Sequence, residues 1–167
     1  IRDKLVTGVQ TCALPIFWLV AGVLPVVAVG IALFTQHGLG MQPCPWCVLQ
    51  RLIFLSISAA AWIGLALGAP LPRRVMALMM LALAACGIAA ALWQHFVAAA
   101  SASCNLTLAD RILSATGLDN LLPEVFAAYA SCADAAATLL GVPYEFYSFT
   151  VFVLLGIAAA WLLRRPA

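Results

Sequence analysis

Apolar positions in this chain gather into four long blocks, and polar positions gather between them. The first block runs about 17–36, the second about 45–67, the third about 75–98 and the fourth about 146–163. Lys, Arg, Asp and Glu are missing from Leu5 to Gln50, from Leu52 to Pro72, from Val75 to Ala109 and from Phe146 to Leu163. Each gap can hold the roughly 20 apolar residues that cross a bilayer as a helix. Pro25 lies inside the first block, where a membrane helix tolerates a kink if neighbours satisfy the freed carbonyl. Pro45 suits the first turn of the second helix.

The breaks differ in character. Residues 37–44 form a short loop rich in helix breakers. Gly68-Ala-Pro-Leu-Pro-Arg-Arg74 reads as a tight basic turn. Residues 99–145 form a long polar segment that holds Asp110, Asp119, Glu124, Asp134 and Glu145 against one base, Arg111. Within it Leu118, Leu121, Leu122, Val125 and Phe126 recur at helical spacing. They fit either a short helix on the membrane surface or a loop helix packed on its neighbours. Asn105-Leu106-Thr107 matches a glycosylation sequon too short to carry weight. The expected fold is all-α: a polytopic membrane protein with a four-helix bundle and a long loop between helices 3 and 4.

Composition agrees with the pattern. Of 167 residues, 66% are hydrophobic and 8% charged, and mean hydropathy is +1.11. A soluble domain averages about 25% charged residues. The net charge of +2 gives no nucleic-acid surface. Position matters more than sum: Arg73-Arg74 and Arg164-Arg165 flank the ends of blocks 2, 3 and 4, while both loops at the other side are poor in bases. The excess of Lys and Arg on cytoplasmic ends then places both termini inside and both loops outside.

Residues 1–16, Ile-Arg-Asp-Lys-Leu-Val-Thr-Gly-Val-Gln-Thr-Cys-Ala-Leu-Pro-Ile, resemble translated sequencing-adaptor read-through and offer no good helix start. We expect them to be a foreign tail rather than part of the 17–165 membrane domain; the other reading is a short native cytoplasmic tail.

Six cysteines are present: Cys12, Cys44, Cys47, Cys86, Cys104 and Cys132. The topology puts Cys44, Cys47, Cys104 and Cys132 on the outer, oxidising side, where disulfides persist. Cys86 falls at mid-membrane and is expected to be a small buried apolar residue. Cys44-Pro45-Trp46-Cys47 is a Cys-x-x-Cys pair at a helix start, where unpaired N–H groups and the helix dipole favour thiolate. Arg51 is four residues after Cys47 and shares its helix face. Arginine inside a membrane costs about 2.5–3.5 kcal/mol at the helix centre on insertion scales. Two readings of Arg51 stand: a charge that stabilises the Cys47 thiolate or an anionic acceptor oxygen, and a snorkelling residue. Cys104 and Cys132 share one loop and could be a structural staple worth roughly 3–4 kcal/mol, or a second disulfide that exchanges with the first. Zinc is disfavoured because only one pair has ligand spacing and the outer side oxidises free thiols; no metal is expected. His95 and His37 lie near the outer ends of blocks 3 and 1, as proton-handling groups or as interfacial anchors.

Together, Gln36-His37, Pro43-Cys44-Pro45-Trp46-Cys47-Val48-Leu49-Gln50-Arg51, Trp93-Gln94-His95, Ser103-Cys104, Pro123-Glu124-Val125-Phe126, Cys132-Ala133 and Leu140-Gly141-Val142-Pro143 resemble the DsbB family of bacterial inner-membrane disulfide-bond formation proteins. The resemblance covers about Phe17 to Arg165. It implies a disulfide oxidoreductase that reoxidises a periplasmic thioredoxin-fold oxidase, DsbA. Electrons would pass from Cys104 and Cys132 to Cys44 and Cys47, through a transient Cys44–Cys104 bond, and on to a quinone, ubiquinone or menaquinone. It further implies that Cys47 faces the quinone as a thiolate, that Arg51 holds a quinone oxygen and that His95 sits close by. Two alternatives remain. Vitamin K epoxide reductase-like proteins share a four-helix core and Cys-x-x-Cys, but carry their second cysteine pair earlier in the chain. A non-enzymatic membrane scaffold with structural disulfides leaves Arg51 unexplained. Deleting residues 1–16 should leave thiol-oxidase activity intact, as a turnover assay of the truncated protein will show.

Overall fold

The computed structural model describes residues 2–67, 69–100 and 107–164, with side chains from position 15 onward. The long apolar runs form helices because a chain without water around it must satisfy every N–H and C=O internally. Helix α1 spans Arg2–Leu39, α2 Pro45–Ala66, α3 Pro70–Trp93 and α7 Tyr144–Arg164. These four helices, α3 with its Gln94–Ala98 extension, are long and apolar enough to cross a membrane. The protein is an all-α, multi-pass membrane protein.

The helices pack in a ring. α1 lies on α2, α2 on α3 and α3 on α7, while α1 and α7 meet more sparingly. Packing follows stripes with a seven-residue repeat, mostly small side chains on α3 and mostly large ones on α7, so that close approach supplies the attraction that lipid does not. On α3 the stripe is Ala77, Met80, Ala84, Gly87 and Ala91, all buried. On α7 it is Phe152, Leu155, Ala159 and Leu162. Phe152 stacks on Phe54 of α2 with centroids 4.0 Å apart and planes 6° from parallel. The ring also rests on Gly87, where an added Cβ would clash with it.

Several boundaries differ from the sequence expectation. α1 is helical from Arg2, so residues 2–16 continue the first helix instead of standing apart from it. The stretch expected as a tight basic turn is mostly helix. α3 begins at Pro70, a favoured first-turn residue, and Arg73 lies within its first turns. Its Nε donates to the Gly64 carbonyl at 3.3 Å, near the end of α2 where carbonyls lack helical partners. Cys86 is exposed on the outside of α3 and not buried, because the packing stripe runs through Ala84 and Gly87 on the other face.

The loop after α3 is more ordered than its polarity suggested. α4 spans Leu108–Thr116 and starts with a capping box: Thr107 accepts from the Asp110 N–H, and Asp110 accepts from the Thr107 N–H. The apolar repeat at 118–126 becomes two single turns, α5 (Leu118–Leu121) and α6 (Pro123–Phe126). Pro123 explains the break, since a residue before proline is pushed out of the helical region; Leu122 adopts φ −136°, ψ 66°. Leu113 and Phe126 bury themselves with Val48 of α2, while Leu121 and Leu122 stay exposed. A small hairpin, β1 (Thr138–Leu139) and β2 (Val142–Pro143), then leads into α7. It turns through Leu140 and Gly141, both at positive φ.

Gly87→Ala should destabilise the bundle by about 1–3 kcal/mol through overpacking, whereas Gly30→Ala, with open space around the new carbon, should not. Thermal unfolding of both variants in one detergent measures the difference.

Candidate redox site

Three cysteines meet at one end of the bundle. Pro45 keeps Cys44 extended (φ −85°, ψ 166°) as the N-cap of α2, consistent with the restriction proline places on its predecessor. The Cys44 Sγ accepts from the Cys47 N–H at 3.4 Å, and the two sulfurs lie 3.0 Å apart. The third cysteine arrives through the backbone. The Pro43 carbonyl accepts from the N–H groups of Tyr129 at 3.0 Å and Ala130 at 3.3 Å. That clamp holds the strand of loop leading to Cys132, whose thiol hydrogen-bonds Cys44. Cys44 is fully buried and Cys132 nearly so. Hydrogen bonds to Cys132 and Cys47, then burial, push the Cys44 thiol well above the ordinary thiol range. The hydrogen bond from Cys44 lowers Cys132 instead, against the opposing effect of burial. Of these two thiols, Cys132 is the one favoured as thiolate.

Cys47 faces the other way as well. It lines a cavity of about 500 Å³ together with Gln50, Arg51, Gln94, Tyr144 and Glu145. The polar groups crowd one end; Ala28, Val29, Phe54 and Val151 form an apolar wall. The cavity reaches the outer surface along the seam of α1 and α7, where its lining residues Ile31 and Thr150 are exposed.

A chain of amides points at Cys47. Gln50 Nε2 donates to Gln94 Oε1 at 2.7 Å, and Gln94 Nε2 donates to the Cys47 Sγ at 3.1 Å. Gln94 opens a π-helical turn, Gln94–Ala98, closed by the Ala99 N–H on the Gln94 carbonyl at 2.9 Å. Such turns insert an extra residue and re-aim side chains. Here the turn carries both Gln94 and His95.

Arg51 is 5% exposed. Its Nη1 donates to Gln36 Oε1 at 2.7 Å and to the Val125 carbonyl at 3.0 Å, and its Nη2 donates to the Ala32 carbonyl at 3.4 Å. Among the described residues no carboxylate lies within ion-pair distance of it. Arg51 thus ties α1, α2 and α6 together while lining the cavity beside Cys47.

His95 stands behind the cavity wall. Its Nδ1 is 2.6 Å from Glu145 Oε1, and its ring meets Phe96 and Phe146 edge-on, each with centroids 4.8 Å apart. His37 is half-exposed and faces Glu124 at 3.7 Å, away from the cavity. Cys86 is remote. Cys104 lies outside the described residues, as does the side chain of Cys12. Gln36, Gln50, Gln94 and Glu145 received no role from the sequence; for the three glutamines, polar groups inside charge-poor spans are the signal that marks such sites, whereas Glu145 sat among the loop acids.

A four-helix membrane protein with buried vicinal thiols opening on a lateral cavity belongs to the class of membrane thiol–disulfide proteins. Comparison with known proteins narrows this. The family model for "Disulfide bond formation protein DsbB" matches residues 15–162, so the chain belongs to the DsbB family. Curated relatives include the Disulfide bond formation protein B of Pseudomonas syringae pv. tomato, 32% identical over 142 residues, which cover 84% of each chain. Those of Stutzerimonas stutzeri and Aromatoleum aromaticum are both 29% identical, over 82% and 81% of this chain and 87% and 84% of theirs.

Arg51→Lys should lower stability by about 1–3 kcal/mol, because an ammonium cannot replace the forked donors and leaves buried acceptors unpaired. It should also loosen α6, read as faster proteolysis between α4 and the hairpin alongside a lower thermal midpoint.

Proposed function

We propose that this protein is a protein dithiol:quinone oxidoreductase that reoxidises a periplasmic thioredoxin-fold oxidase of the DsbA type. The observation that carries the reading is the unbroken row from Cys132 to Cys44 to Cys47 to the cavity. Cys132 interacts with Cys44, the sulfurs of Cys44 and Cys47 are in contact, and Cys47 lines the cavity. A structural staple has no need for a third thiol beside a Cys-x-x-Cys pair.

Thiol–disulfide exchange gives the order of events. The partner's thiolate attacks Cys104 of a Cys104–Cys132 disulfide, forming a mixed disulfide and releasing Cys132 as thiolate. Cys132 attacks Cys44 of the Cys44–Cys47 disulfide, forming a Cys44–Cys132 bond and releasing Cys47 as thiolate into the cavity. The partner's second thiol then displaces Cys104, and the oxidised partner leaves. Cys104 attacks Cys132, restoring the loop disulfide and returning both electrons to the Cys44–Cys47 dithiol. The resemblance implied a transient Cys44–Cys104 bond; the interaction of Cys132 with Cys44 supports a Cys44–Cys132 bond for this step.

The cavity suits a quinone head. Its polar end offers donors from Arg51 and Gln50, and its apolar wall opens sideways toward lipid, from which a prenylated ring would enter. When bound, a quinone supplies a sink for two electrons and two protons. Gln94 holds the Cys47 sulfur in place, and the Arg51 charge favours anion in the cavity. DsbA is a strong oxidant at about −120 mV, so an acceptor of higher potential is needed. We further place the thiols on the periplasmic side of the inner membrane, opposite the end of the bundle that carries Arg73, Arg74 and Arg164.

In detergent with a short-chain ubiquinone or menaquinone, the purified protein should oxidise a reduced DsbA-type protein, and Cys47→Ser or Cys104→Ser should each abolish turnover. Adding quinone should produce a visible absorbance band that Cys47→Ser lacks. Full turnover in either variant refutes the route.

A further inference from the structure

Resting on the thiol:quinone reading, we propose that Glu145 is the acid that delivers a proton into the cavity, reloaded from outside through His95. Glu145 is 8% exposed and lies in the first turn of a membrane-spanning helix, an environment in which a carboxylate is retained for a task more often than for stability. One side of it lines the cavity. Its Oε1 meets His95 Nδ1 at 2.6 Å. The His95 side chain is 32% exposed, and flanking phenyl rings set its plane. Cavity, carboxylate, imidazole and exterior thus follow one another.

The proton balance requires such a donor. Returning the Cys44–Cys47 pair from one thiol and one thiolate to the disulfide releases two electrons and one proton, the proton of Cys44. Full reduction of a quinone takes two electrons and two protons, so one more must come from elsewhere. Glu145 gives it, His95 passes its own proton to the carboxylate, and water reprotonates His95. The other titratable groups that line the cavity are Cys47, Arg51, Tyr144 and Tyr147. Cys47 is the electron donor. Arg51 does not deprotonate in proteins. The Tyr147 hydroxyl donates to the Leu139 carbonyl at 2.7 Å. The Tyr144 hydroxyl is paired with Thr35 Oγ1 at 3.2 Å. Only Glu145, among the described cavity groups, connects onward to a second proton carrier.

The test uses the full chain in detergent, a short-chain ubiquinone and dithiothreitol as reductant. Glu145→Gln keeps the shape and should slow quinone reduction by about 10²-fold, the lower range for a positioned acid. Its quinone affinity should stay within about twofold, since a transition-state role leaves ground-state binding alone. The pH profile of the rate should differ between wild type and Glu145→Gln. Glu145→Asp should recover part of the rate. Infrared difference spectra of quinone reduction should show a carboxyl change in wild type, shifted in Glu145→Asp and missing in Glu145→Gln. Wild-type rate and pH profile in Glu145→Gln, beside a dead Cys47→Ser, overturn the relay alone. A wild-type spectrum without a carboxyl change overturns it even if the glutamine variant fails to fold. A wild-type protein that does not reduce the quinone overturns the function on which the relay rests.

Discussion

A buried guanidinium with no carboxylate in ion-pair distance among the described residues shapes the active end of the molecule. Moving such a charge out of water is expensive, and the protein must surround it with acceptors. Arg51 finds them on three separate pieces of chain, at Ala32, Gln36 and Val125. Those contacts fix the angle of α1 against α2 and bring α6 down onto the bundle. Once α6 is down, Phe126 can bury itself against Val48, and the following strand reaches Pro43. Two hydrogen bonds to that carbonyl then carry Cys132 to Cys44. The thiol row is in this sense a consequence of where one arginine can be solvated.

The two sides of Cys47 divide the chemistry. Toward the loop, sulfur meets sulfur, and exchange needs only contact and a thiolate. Toward the cavity, amides, a guanidinium and a carboxylate meet an apolar wall, which suits electron and proton transfer in a dry space. The Gln50–Gln94–Cys47 chain fixes the sulfur without adding net charge. That leaves Arg51 and Glu145 as the ionisable side chains of opposite type at the polar end.

Much of this was legible in the sequence, and the reasons are physical. Charge-free runs revealed the four spans because a bilayer excludes charge whatever the packing. Cys44, Cys47 and Arg51 announced a site because their types are costly or reactive where they occur. Cys86 was misjudged because depth in the membrane does not tell which side of α3 faces lipid; the Ala84 and Gly87 stripe decides that. Arg73 read as a turn residue, yet Pro70 starts the helix and the arginine caps its neighbour. Residues 118–126 showed the right period but not the interruption at Leu122, which Pro123 imposes. Glu145 looked like one more loop acid. Its role depends on a histidine 50 residues earlier in the chain, and no local pattern encodes that meeting. Cys104 lies outside the described residues.

The sparing contact between α1 and α7 has a bearing on how this protein would be saturated. Its cavity opens sideways along that seam, so whatever fills it arrives by diffusion within the hydrocarbon layer. The concentration that governs occupancy is then the mole fraction of the ligand among lipids. Diluting the aqueous phase leaves that fraction unchanged, while adding detergent or lipid lowers it. Apparent affinity measured in micelles is therefore a property of the amphiphile present as much as of the site.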